Sequence, residues 1–229
     1  MIIRYQRESQ QLLVFLEHIK TATELFHKDP DAVIMFSGSQ TRSFGGPRSE
    51  AESYLMAALV MGWLGPKDLD RVILEEYARD SFENLLFSIC RAYAVRKQYP
   101  HQLTVVGFKF KEKRFRDLHR LAVGWPEDRF HYVGVDQATF NGKETPAISE
   151  SILESERRNA FDLFKHDPFG CRDALAEKKQ SRDPFLRTDL AAIKLACPRM
   201  EALFDVCSSS SYIRFRGSTL PETPNYDNA

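Results

Sequence analysis

The sequence predicts an α/β protein, with a mostly parallel sheet and helices on both faces. Three observations predict it. Short apolar runs alternate with amphipathic stretches over the first 136 residues, the order expected of parallel strands joined by crossover helices. The run at 32–36 is apolar without the polar alternation of a half-exposed strand, as strands covered on both faces are. Polar loops with helix-start signals follow the strands, and ligands of open α/β sheets bind where strands end and helices begin.

The elements follow in order. Leu12, Phe15, Leu16, Ile19 and Phe26 recur at helical spacing, so 9–27 is predicted as a helix, closed just before Pro30. A strand at 32–36 comes next, then a loop at 37–48 containing Ser37, Gly38, Ser39 and the glycines 45–46. Ser49 and Glu52 have the spacing of a capping box for a helix over 49–62. A strand at 71–75 leads to a helix over 82–98, capped at Asp80 or Ser81 and ended at Tyr99-Pro100. A strand at 102–108, a helix over 111–123 and a strand at 129–135 complete the alternation. The first helix has no evident strand before it, only a short apolar stub at 1–5.

Beyond residue 137 the pattern weakens. Helices are expected over 148–163, 174–179 and 190–206, the last broken at Pro198. Asp-Pro-Phe occurs at 167–169 and again at 183–185, with an aromatic able to dock on a core, but two tripeptides do not make a structural repeat. The predicted division is an α/β domain over 1–136, an extension packed on it over 137–207, and a disordered tail over 208–229.

Composition excludes several classes. Lys plus Arg and Asp plus Glu are 32 each, so no overall field argues for nucleic acid or a membrane surface. No apolar run reaches the roughly 20 residues that span a bilayer. Cys90, Cys171, Cys197 and Cys207 are scattered and form no CxxC pair, so neither structural zinc nor a disulfide framework is expected. A reducing, cytoplasmic setting is the expectation that follows. The six histidines lack metalloprotease spacing, and the loop at 37–48 fits neither phosphate-binding glycine pattern. No metal site is expected.

Two further strand ends hold chemistry. Glu75, Glu76, Asp80, Ser81, Glu83 and Asn84 fall within ten residues. Carboxylates there cap free N–H groups, Glu75 sits where strand side chains pass from core to cleft, and Asn84 offers a donor and an acceptor to a sugar or base edge. Five of the eight residues from Lys109 to Arg116 are basic. Cations oppose the dipole of a helix start but suit a bound anion there, and Arg114 is the strongest candidate among them.

Together the three strand-end motifs resemble the YdcF-like family, the domain of unknown function that includes SanA and ElyC. Its Ser-Gly-Gly and Ser-Glu-Ala are matched by Ser37-Gly38-Ser39 and Ser49-Glu50-Ala51. Its glutamate, small residue, threonine and Glu-Asn are matched by Glu75, Ala78, Ser81 and Glu83-Asn84, and its His and Arg by Lys111 and Arg114. Ser39 and Lys111 depart from the pattern. The wording GFKFKEKRF and GPRSEA is similar to a eukaryotic, largely fungal branch. The resemblance implies a Rossmann-like three-layer α/β/α fold with the first family strand missing, and S-adenosylmethionine binding for at least one member type.

The expected function is therefore a small anionic or nucleotide-like ligand, such as S-adenosylmethionine, bound by Ser37, Gly38, Ser39, Ser49, Glu50, Ser81, Glu83, Asn84, Lys111 and Arg114. Group transfer would use Glu75 or Glu50 as general base. The alternatives are a hydrolase of phosphate or glycosidic bonds with two converging carboxylates, and a partner-binding protein whose cleft is vestigial.

Overall fold

The computed structural model describes residues 11–140 and 143–207. The expected stub at 1–5 and disordered tail at 208–229 lie outside the described residues. Helix α1 (Gln11–Lys28) leads into strand β1 (Ile34–Ser37), helix α2 (Glu50–Val60) and strand β2 (Val72–Glu75). Helix α3 (Ser81–Arg96), strand β3 (Leu103–Gly107), a composite helix α4 over 109–122 and strand β4 (Phe130–Gly134) complete the alternation. The predicted order holds, with boundaries shifted by at most two residues.

The sheet does not form as one unit. β1 pairs in parallel with β2, matching Ile34 to Val72 and Ser37 to Glu75. β3 pairs in parallel with β4, matching Leu103 to Phe130 and Gly107 to Gly134. Between the two pairs lies a cavity of about 2470 Å³, lined by residues of both β1 and β3 and by α1. No described residue supplies a strand between them. The expectation of one mostly parallel sheet is thus corrected to two two-stranded parallel sheets. The same gap leaves Leu103, Val105 and Val106 half-buried.

Helix α4 also differs from a regular helix. It passes through a 3-10 turn at Lys109–Lys111, one α turn at Glu112–Arg114 and a π turn at Phe115–His119. This winding buries Arg114 and His119 together with Phe115.

The extension shares the α/β core. Helix α5 spans 150–166 with a π turn at Arg157–Phe161, and helix α6 is Asp173–Ser181. Helices α7 (Leu190–Leu195) and α8 (Glu201–Phe204) are separated at Pro198, as proline geometry requires. Phe164, Phe169, Leu175, Met200 and Leu203 join Phe82, Leu86, Trp125 and Phe130 in one cluster. Of the two Asp-Pro-Phe copies, Phe169 is buried and Phe185 exposed. The sequence pattern missed a small antiparallel pair, Thr139–Phe140 with Lys143–Glu144.

The cysteine expectation is overturned. Cys90 is bonded to Cys197 and Cys171 to Cys207, at separations of 107 and 36 residues. Spacing alone carried no trace of these pairs: packing of the extension on α3 brings Cys90 to Cys197, and the second bridge closes within the extension. The argument for a reducing compartment falls with it. No helix among the described residues is long and apolar enough to cross a membrane.

Closing a loop of about 100 residues removes roughly 4–5 kcal/mol of chain entropy from the unfolded state. The double variant Cys90→Ala/Cys197→Ala should therefore lower the unfolding midpoint by about 10 °C or more in calorimetry. Alkylation of the denatured chain should label no cysteine before reduction and four after it; labelling before reduction would show that the bridges do not form.

Candidate functional site

The loops after β1 and β2 are tied together by one buried carboxylate. Glu75 is 1% exposed. Its Oε2 accepts the Ser37 hydroxyl at 2.5 Å, and its Oε1 accepts the N–H groups of Tyr77 and Ala78 at 2.7 and 2.9 Å. Burial raises its pKa to about 7, against the pull of these three donors, and the Glu83 charge adds to the rise. The Gly38 N–H donates to the Glu75 carbonyl and the Ser39 N–H to the Ala78 carbonyl, each at 3.0 Å.

The loop also spends itself on α2. Ser49 caps the helix by accepting the Glu52 N–H at 2.9 Å, which is half of the expected capping box, and its hydroxyl donates to Glu76 at 2.7 Å. The Glu50 and Ala51 N–H groups donate to the Ser39 and Gly38 carbonyls, each at 3.1 Å. Gly38 has φ +144°, and a Cβ there would stand 2.9 Å from Glu50 Cβ, so this close approach requires glycine. The N–H groups of Gly38, Ser39, Glu50 and Ala51 are thus satisfied inside the protein.

The start of α3 is similarly committed. Asp80 accepts the Glu83 N–H at 2.8 Å. Glu83 receives Arg79 Nε at 3.0 Å and Nη2 at 2.6 Å, and Lys179 Nζ lies 3.5 Å away. Arg79 and Lys179 hold the Glu83 carboxyl below its ordinary range despite burial. Lys179 donates to the Phe169 carbonyl at 2.6 Å and lies 3.4 Å from Asp80. Ser81 is hydrogen-bonded to Nε2 of the fully buried His119 at 2.8 Å, and burial keeps that imidazole neutral.

What faces the cavity is a different subset. Ser37, Ser39, Ser49, Glu50, Ser81, Asn84, Lys111 and Arg114 line it, while Gly38, Glu75 and Glu83 do not. Ser39, 6% exposed, has its Oγ buried with no hydrogen-bond partner. Asn84 makes no side-chain hydrogen bond among the described residues. Arg114, 7% exposed, lies 3.0 Å from Glu156 through Nη1, yet its Nε is buried and unpartnered. Lys111 rests over Phe108 and Phe110, 5.0 and 5.7 Å from the ring centres, with no carboxylate partner among the described residues. Burial and the nearby Arg114 charge lower its pKa to about 8, against Glu156 and Glu50.

The extension adds residues that the sequence reading left out. Glu156, Lys178 and Arg182 line the same cavity. Arg182 donates to the Arg79 carbonyl at 3.0 Å, Arg187 to Gln40 Oε1 at 2.8 Å, and Thr188 to the Tyr77 carbonyl at 3.1 Å. Their sequence signal was only a basic stretch late in a charged helix, indistinguishable from a solvated face. No group of metal-ligating side chains is found among the described residues.

These features define an α/β protein with a polar, cation-bearing cleft at the ends of its parallel strands. Over 231 residues the chain is 32% identical to the Saccharomyces cerevisiae protein named uncharacterized protein YOR238W, covering 84% of this chain and 76% of that one. It belongs to the family of that yeast protein. No protein-family model and no solved structure matches the chain.

Glu75 gives a pH signature. Its folded pKa, about 7, lies above the unfolded value near 4.5. Its contribution to stability is therefore present below pH 4.5 and lost as pH rises to 7, by up to about 3 kcal/mol. Glu75→Gln keeps an acceptor for the N–H groups and should flatten urea-derived stability across that window. Glu75→Ala leaves the Tyr77 and Ala78 N–H groups unpaired and should cost most below pH 4.5, the cost shrinking by up to about 3 kcal/mol as pH rises through 7.

Proposed function

We propose that the protein binds a small anionic, nucleotide-like ligand where the loops after β1, β2 and β3 converge. The observation that carries this reading is Arg114, a buried guanidinium aimed into the cavity with an unpartnered Nε. Burying a polar N–H without a partner costs free energy, and an anion would supply the acceptor. Lys111 and the unpartnered Ser39 hydroxyl face the same space, and Asn84 offers its free amide to a base or sugar edge.

The two half-sheets fit one Rossmann-like, doubly wound sheet in the order β2, β1, gap, β3, β4. That order supports the likeness to the YdcF-like family, in which the cleft lies at the strand ends. S-adenosylmethionine is one ligand of the proposed class. For group transfer, Glu50 is the better base of the two carboxylates first considered, because it lines the cavity. Thr41 already donates to its Oε1 at 2.8 Å. Glu75 acts instead as a positioning residue. A hydrolase with two converging carboxylates is less well supported, since Glu75 and Glu83 both turn away from the cavity.

Thermal unfolding with a panel of anions and adenosine ligands tests the reading. A ligand at about a hundred times its Kd stabilises by roughly 2.7 kcal/mol, or about 5–10 °C at this size. Arg114→Ala should abolish that shift; a cleft that no anion moves would sink the proposal. Lys111 has a folded pKa of about 8, below the ordinary 10.5, so the fold disfavours its charge and gains stability as pH rises from 8 to 10.5. Lys111→Met should therefore raise the midpoint at pH 7 while weakening anion binding. In the wild type, anion affinity should fall as pH rises through about 8.

A further inference from the structure

Four cations from two distant parts of the chain meet in the cleft. Lys111 and Arg114 come from α4, and Lys178 and Arg182 from the last turn of α6 and its cap. Burial first, and then the charges of Arg114 and Arg182, lower the protonation of Lys111 and of Lys178, and burial with the Arg182 charge does the same to Arg114.

Their opposite charges are few. Glu156 sits against Arg114 at 3.0 Å. Glu50 is engaged by Thr41, and Asp80 lies 3.4 Å from Lys179. The Lys178 side chain has neither a hydrogen bond nor an ion pair among the described residues, and the Arg182 guanidinium is held by a single backbone carbonyl. Basic residues at the end of α6 do suit its dipole. That preference is satisfied by solvent-facing side chains, however, and does not call for half-buried ones turned toward Arg114.

We infer that α6 completes a phosphoryl-binding subsite, in which Lys178 and Arg182 close over a phosphate held from below by Arg114 and Lys111. This rests on the anion-binding reading and narrows it to a ligand bearing a phosphate monoester or diphosphate. Four cations against one contacting carboxylate leave an excess that a phosphate dianion matches better than a single carboxylate does. A guanidinium presents the planar fork suited to phosphate oxygens, and lysines supply point charges around it. The same excess repels a sulfonium, so phosphorylated nucleotides are favoured over S-adenosylmethionine. Ser39, with its unpartnered buried hydroxyl, adds a donor at the cavity wall. The Gly38, Ser39, Glu50 and Ala51 N–H groups are consumed internally, so side chains make this site.

The test is calorimetric titration of the full chain with inorganic phosphate, pyrophosphate, AMP and ADP, against adenosine, S-adenosylmethionine and citrate. Pyrophosphate and ADP should bind at least tenfold more tightly than citrate, adenosine or S-adenosylmethionine. Lys178→Glu removes no side-chain hydrogen bond or ion pair of the free protein and relieves repulsion among the cations, so it should not lower the unfolding midpoint while weakening ADP at least tenfold. Arg182→Ala should do the same to affinity, with Arg182→Lys between. Citrate binding as well as ADP, with Lys178→Glu at wild-type affinity, would overturn the phosphoryl subsite and leave the anion reading standing. Phosphate binding that ignores both Lys178→Glu and Arg182→Ala would also overturn it. Failure of every anion would remove both readings.

Discussion

The buried carboxylate of Glu75 is the constraint on which the strand-end architecture depends. It sits at the last paired position of β2, opposite Ser37 at the last of β1. Through its side chain and carbonyl it holds the Ser37 hydroxyl, the Gly38 N–H and the turn at Tyr77 and Ala78. Those bonds fix where the glycine loop runs, and the loop carbonyls in turn take up the first N–H groups of α2. Asp80, the N-cap of α3, follows two residues beyond Ala78. One charge-bearing group in an apolar setting therefore sets the relative position of two helix starts. Its raised pKa is the cost of that placement, and its three donors keep the cost bounded.

A second constraint acts between the halves. β1 and β3 present ladder edges to a cavity rather than to a neighbouring strand, and α1 bridges both from one face. His18 of α1 is bonded to the Val135 carbonyl at 2.7 Å, and its ring meets Phe108 edge-on at 4.6 Å. These contacts anchor α1 to the β3–β4 half, while Ile19 and Phe26 pack it on β1 and α2. The two half-sheets are thus held in common by a helix, with the cation cluster above the gap and apolar side chains along it.

Much of this was legible in the sequence, and the part that was not has a physical reason. Strands of four or five β-branched and apolar residues, with Ser49 and Asp80 before their helices, announce themselves locally. The positions of Lys111, Arg114, Asn84 and Glu50 on the cavity wall follow from strand-end topology, which the alternation already implied. Sequence could not tell that Glu75 and Glu83 face inward, because a carboxylate at a strand end reads the same whether it meets a ligand or three N–H groups. Nor could it tell that Cys90 and Cys197 meet, or that Lys178 and Arg182 reach Arg114. Those juxtapositions arise from the packing of a weakly patterned extension, whose helices bury Phe164, Phe169 and Leu175 without strong periodicity.

That packing also decides how the cation cluster is to be understood. Ordinary surface charges of one sign separate, since solvent screening and free rotamers let them do so at little cost. Here Arg114 is locked by burial, Arg182 by the Arg79 carbonyl and Lys111 by two aromatic rings. None can retreat without giving up a contact that the core or the extension requires. The repulsion among them is therefore stored in the free protein, and under the proposed reading an anion would release it on binding. Affinity in such a site comes from side chains already in place rather than from ordering a loop. The extension is in this sense part of the site, because without α6 the remaining pair, Arg114 beside Glu156 and Lys111 over its aromatic rings, would carry little excess charge.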